Sequence, residues 1–140
     1  MHGYQHILMA IDSPMSDEIN AAQRAALIAK ESGATLSLLH VTRELNRGME
    51  FSLTGAADLE KQIEERAQHD INQVGDYVGV PSNKRFIKHG IVNKMIFDHA
   101  KKTKTDLIIV GNRRHGFMAL FTMARAILTC QPCDVLIVKE

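Results

Sequence analysis

Residues 105–125 read TDLIIVGNRRHGFMALFTMAR. Leu107, Ile108, Ile109 and Val110 form an apolar run of the kind a strand shows when both of its faces are covered. The run breaks at Gly111 into a basic loop, Asn112-Arg113-Arg114-His115-Gly116. Beyond it Leu120, Phe121, Ala124, Ile127 and Leu128 recur at helical spacing, with Thr122 able to cap a shorter helix that starts there. A strand, a glycine and then a helix make a candidate anion site, because ligands of parallel α/β sheets collect beyond the carboxyl ends of the strands, where unpaired N–H groups point outward.

The flanking sequence repeats the same alternation. Just upstream, Lys84 to His89 (KRFIKH) reads as a short strand whose charges suit a sheet edge, and Gly90 leads into a helix carrying Val92, Met95, Ile96, His99 and Ala100. Downstream, Cys133 to Lys139 (CDVLIVK) closes the chain as a fifth strand. In the N-terminal half, His6 to Ile11 forms a buried strand ending at Asp12 and the turn Ser13-Pro14. Ser16 is placed to cap the helix that follows, in which Ile19, Ala22, Ala26 and Ala29 share a face and which Gly33 stops. Thr35 to Val41 is the second strand, and Thr42 to Gly55 a long connection. Leu59, Ile63, Ala67, Ile71, Val74 and Val78 then mark an amphipathic helix of about six turns.

This β-α-β-α-β-α-β-α-β order predicts one parallel sheet with right-handed crossovers and helices on both faces. The first and fourth strands would flank the switch point, bringing Asp12, the end of the second strand at Val41 and the loop after Gly111 to one edge.

Composition agrees with a single domain spanning residues 1–140: hydrophobic residues make up 45%, charged residues 24%, and there are only three prolines. The N-terminus lacks the basic region of a signal peptide, and no apolar run reaches the roughly 18 residues of a membrane span, so a cytoplasmic location is expected. Two cysteines are too few for a secreted disulfide framework. The net charge of +1 is uneven, with nine Lys or Arg against Asp98 and Asp106 between residues 84 and 114. That cluster reads as a solvated basic face in preference to a nucleic-acid surface.

Few residues carry a chemical signature. Cys130-Gln131-Pro132-Cys133 has CxxC spacing, yet it joins a helix end to a strand, whereas a redox pair sits at a helix N-terminus where the dipole lowers a thiol pKa. Two small apolar residues at a turn is the better account, and no second ligand pair completes a zinc site. Of the histidines, His40, His89 and His115 could converge, while His69 and His99 lie on helices; no serine elbow, HExxH or paired carboxylates accompany them. Packed or solvated roles are expected for each. Asp12 is the acidic residue placed for ligand contact, though an aspartate before Ser-Pro also makes an ordinary turn cap.

Taken together, HILMAID, LSLLHV, KHGIVNKMIFDHAKKTKTDLIIVGNRR and CDVLIV resemble the universal stress protein family across almost the whole chain. The resemblance implies a Rossmann-like domain of the adenine nucleotide alpha hydrolase-like type, with five parallel strands in the order 3-2-1-4-5 and four helices. It also implies a homodimer in which Val135, Leu136, Ile137 and Val138 pair with the partner's last strand. Nucleotide-binding members of the family share a G-x-x-G-x9-G-[ST] pattern after the fourth strand and an aspartate ending the first. Here Gly111 and Asp12 match, but Arg114 replaces the second glycine, Ala124 the third and Arg125 the Ser or Thr.

Those departures resemble the UspA-like branch, thought not to bind ATP. A glycine lets backbone amides approach phosphate, and a side chain at that point fills the approach. The expectation is a binding or regulatory protein of the stress response with no cofactor and no chemistry of its own, whose partners are its own copy and other proteins, with no membrane association. Against it stands a nucleotide-binding member, for ATP or AMP or acting as a slow ATPase, in which Arg113, Arg114 and Arg125 replace glycine amides.

Overall fold

In the computed structural model, which describes residues 3–11, 15–42, 56–112 and 133–139, the first strand β1 (His6–Ile11) forms the middle of the sheet. Its alternation decides both layers. Ile7, Met9 and Ile11 point to one face, where Ala21, Ala22, Ala25 and Ala29 of helix α1 (Ile19–Ser32) and Ile71 and Val74 of helix α2 (Ala56–Val78) cover them. Leu8 points to the other, toward Ile96, Phe97 and Ala100 of helix α3 (Val92–Lys102). The alanine face of α1 brings its backbone close to the sheet, which suits a central strand buried on both sides.

β1 pairs in parallel with β2 (Thr35–Thr42) and with β4 (Leu107–Asn112). Strand β3 (Arg85–His89) lies outside β2, and β5 (Asp134–Lys139) outside β4, giving the order β3-β2-β1-β4-β5. The expected order 3-2-1-4-5 and the edge position of the charged third strand are both found. Three helices fall within the described residues; the fourth expected helix, carrying Leu120 to Leu128, lies outside them.

The start of α1 differs from the sequence reading. A 3-10 turn takes up Met15–Asp17, so Ser16 falls inside that turn and the helix begins at Ile19, with Glu18 at its N-cap position. Glu18 is buried, and its carbonyl accepts from the Ala22 N–H at 2.9 Å. Gly33 ends the helix in the left-handed conformation, φ 69°, as expected.

Two strands run further than their sequences suggest. β2 includes Thr42, which pairs with His89, and β4 continues through Gly111 and Asn112 opposite Val138 and Lys139. Gly111 is therefore a strand residue and does not end the strand. The ladder with β5 continues beyond the apolar run because pairing is a backbone property, indifferent to the loss of hydrophobic side chains.

Candidate functional site

The carboxyl ends of the five strands, at Ile11, Thr42, His89, Asn112 and Lys139, form one edge of the sheet. The register sets what shares that edge. Ala10 aligns with both Leu39 and Val110, and Ile11 with His40, so Gly111 is level with Ile11 and His40, and Val41 lies one residue beyond. Val41 and Gly111 thus flank β1 from its two sides, about 10 Å apart by two strand spacings. The side chain of Val41 is buried among Leu39, Ile96 and Phe97, which leaves its backbone as the part able to face a ligand. Asp12, Arg113, Arg114 and Arg125 lie outside the described residues, as do His115 and Cys130.

Sequence reasoning missed a polar pair at this edge. Thr42 Oγ1 lies 2.7 Å from His89 Nδ1, and the Gly90 N–H donates to the Thr42 carbonyl at 3.0 Å. Thr42 is buried and His89 exposed, so the hydroxyl anchors one nitrogen of a solvent-exposed residue. The β-branched side chain of Thr42 was the available signal that β2 includes it. His40, two residues earlier on the same face of β2, is buried.

The remaining histidines separate. His69 is exposed on α2, whereas His99 is buried on α3 beside Phe86, at a ring-centroid distance of 4.8 Å. Burial, with Lys88 and Lys102 nearby, lowers the His99 pKa below its ordinary 6.5. Among the described residues no cluster of three His, Cys, Asp or Glu is arranged to hold a metal ion, and no helix is long and apolar enough to cross a membrane.

The opposite edge of the sheet is pinned by carboxylates. Asp106 accepts from the backbone N–H groups of Gln5 and His6 at 2.8 and 3.0 Å, and the Tyr4 hydroxyl donates to Asp134 at 2.8 Å. Cys133 sits at this edge, partly buried against the α3-side core, and desolvation together with Asp134 and Asp106 pushes its thiol up to about 11. A thiol so held is a weak nucleophile, which supports the packing account of this cysteine.

The model of the universal stress protein family matches residues 3–139. The chain belongs to the universal stress protein family. Universal stress protein A homolog 1 of Coxiella burnetii is 40% identical to it over 143 residues, covering 99% of this chain and 97% of the relative. Universal stress protein A of Escherichia coli is 29% identical over 139 residues, covering 96% and 94%. Among solved structures, the universal stress protein UspA from Lactobacillus plantarum superposes with a TM-score of 0.67 at 23% identity over 99% of both chains. A universal stress protein in complex with cAMP superposes with a TM-score of 0.59 at 21% identity over 97% of both. At these identities the solved structures establish the shared fold, a five-stranded parallel sheet.

Proposed function

We propose that this family member is a cytoplasmic, homodimeric binding or regulatory protein of the stress response that does not bind ATP in the conventional way and catalyses no reaction. One observation carries the reading: three positions of the phosphate-binding pattern hold Arg114, Ala124 and Arg125 where nucleotide-binding members have Gly, Gly and Ser or Thr. Each change either removes the bare backbone that approaches a phosphate or removes a hydroxyl donor. The similarity to proteins named universal stress protein A supports the same branch.

The dimer rests on β5. No strand lies beyond it among the described residues, so one row of its backbone N–H and C=O groups is open to pairing. Val138 is buried, Val135 and Leu136 are half-buried, and Ile137 is 41% exposed. Beside Ile137, a groove of about 420 Å³ is lined by Arg24, Leu27, Leu136 and Lys139, with Leu27 itself 51% exposed. An unpaired edge strand carrying apolar side chains, next to a groove of mixed polar and apolar lining, is an aggregation hazard alone and a ready interface when paired with its own copy.

A second reading keeps a nucleotide, with Arg113, Arg114 and Arg125 making bidentate phosphate contacts and Asp12 near the base. The solved family member holding cAMP favours some nucleotide in this fold. Heat-denaturing the purified protein and assaying the supernatant for adenine nucleotide, followed by calorimetric titration with ATP, AMP and cAMP, separates the two. Absence of released nucleotide and of binding at micromolar ligand supports the first reading. Stoichiometric release, or micromolar binding that Arg114→Ala abolishes, overturns it.

A further inference from the structure

Helix α3 is held to the sheet by Ile96, Phe97 and Ala100, and in the midst of that apolar contact lies His99, 3% exposed. Neither ring nitrogen of His99 has a hydrogen-bond partner among the described residues. Its ring packs on Phe86 of β3, at an interplanar angle of 54°. The strands beneath present Leu39 and Val41 of β2, Leu8 of β1, and Ile108 and Val110 of β4, none of them titratable. The charged groups that act on the ring are Lys88 from β3 and Lys102 from the last turn of α3 itself, both cationic.

A neutral imidazole tolerates this site at the cost of unmade hydrogen bonds. An imidazolium would be a buried charge with no carboxylate paired to it among the described residues and two cations nearby, a costly arrangement for a core to hold. The shortest relief is for α3 to lift and carry His99 into water.

We infer that His99 is an acid-operated release for helix α3: protonation of its ring detaches the helix from the sheet and uncovers the apolar surface formed by Leu39, Val41, Phe86, Ile108 and Val110. The sign follows from the direction of the shift. A histidine whose folded pKa is depressed leaves the attached state at full stability above 6.5, and that stability is lost as pH falls through 6.5 toward the folded value. One proton changes the opening equilibrium by up to about tenfold per pH unit over that window.

The test is hydrogen exchange of the full chain at pH values from 7.5 down to 5.0, corrected for the intrinsic rate and resolved by peptide, on the wild type and on His99→Leu. The wild type is expected to lose protection over residues 92–102 by up to about tenfold per pH unit below 6.5, ahead of residues 21–32. His99→Leu should keep protection of residues 92–102 level over the same range. Unchanged protection in the wild type, or an equal fall in His99→Leu, overturns the inference. Should His99→Leu fail to fold, ring resonances of His99 in the wild type decide. Titration with a midpoint near 6.5 while α3 stays protected overturns the inference, and a ring that stays neutral until protection is lost supports it.

Discussion

The guanidinium of Arg85 occupies the space that a Cβ on Gly75 would fill. Arg85 begins β3 and reaches back to lie against α2, and its Nε and Nη2 donate to the carbonyl of Val80, just beyond the end of that helix, at 2.9 and 2.7 Å. Nη1 donates to Asn72 at 3.2 Å and Nη2 to Asp76 at 2.9 Å. The Arg85 side chain is only 13% exposed, so these bonds tie the end of α2 to the edge of the sheet with little competition from water. The Asp76 contact adds little on its own, since that carboxylate is 77% exposed.

Gly75→Ala should therefore destabilise the protein despite the better helix propensity of alanine. The gain of about 1 kcal/mol in propensity is outweighed by displacing a guanidinium whose bonds to a carbonyl and an amide contribute about 1.5–3 kcal/mol together, for a net loss of about 0.5–2 kcal/mol. Urea denaturation would show it. In an Arg85→Ala background the sign should reverse, with Gly75→Ala stabilising by up to about 1 kcal/mol. The same loss in both backgrounds would mean that the glycine serves something other than this contact.

The two carboxylates at the amino edge of the sheet predict a second pair of effects. Asp106→Ala strips both acceptors from the N–H groups of Gln5 and His6, and should cost about 1–2 kcal/mol in chemical denaturation, with Asp106→Asn intermediate. The bond from Tyr4 to Asp134, with burial and the nearby carboxylates, raises the phenol above its ordinary 10.0. A raised folded pKa gives stability that is present in full below 10.0 and is lost as pH climbs through the folded value. Tyr4→Phe should weaken the protein at neutral pH and flatten its loss of stability in alkali, measured as the denaturation midpoint against pH.

Cys133, with its thiol pushed up to about 11, should be slow to alkylate. At pH 8 about a thousandth of it is thiolate, against roughly a quarter of an unperturbed cysteine, so iodoacetamide should modify it about two orders of magnitude more slowly in the folded protein than in urea. Peptide-level mass spectrometry reads this residue separately from Cys130. Rapid labelling of folded Cys133 would revive the CxxC pair as a redox site.

What was legible in the sequence is what periodicity governs. The alternation in β1, the four-residue spacing of Ile63, Ala67 and Ile71 in α2, and the edge-suited charges of β3 each predicted an element that the structure contains. The misses share a cause, which is that the deciding contact lies elsewhere in the chain. β4 extends through Gly111 because β5 runs beside it, and Gly75, a helix-weakening residue when read locally, answers to an arginine on another element. Of the candidate site, the placement of Val41 and Gly111 at one edge followed from strand order alone. The Thr42–His89 contact did not, because it depends on the β2–β3 register, and a slip of one residue would turn His89 to the opposite face.

Restoring the phosphate-binding pattern is the most direct trial of the proposed function. If bulky residues at positions 114, 124 and 125 are what keep ATP out, then Arg114→Gly with Ala124→Gly and Arg125→Ser returns two points of bare backbone and a hydroxyl to the sequence that follows β4. A hydrogen bond to a charged group contributes about 1.5–3 kcal/mol, so even one recovered amide contact should tighten ATP binding by about tenfold or more in titration calorimetry. The gain should shrink when Asp12→Ala is added, since the family pattern sets that aspartate near the adenine. An unchanged ATP affinity in the triple variant would show that glycine loss is not what closes the cleft, and a weaker one would favour arginines that bind the phosphates themselves.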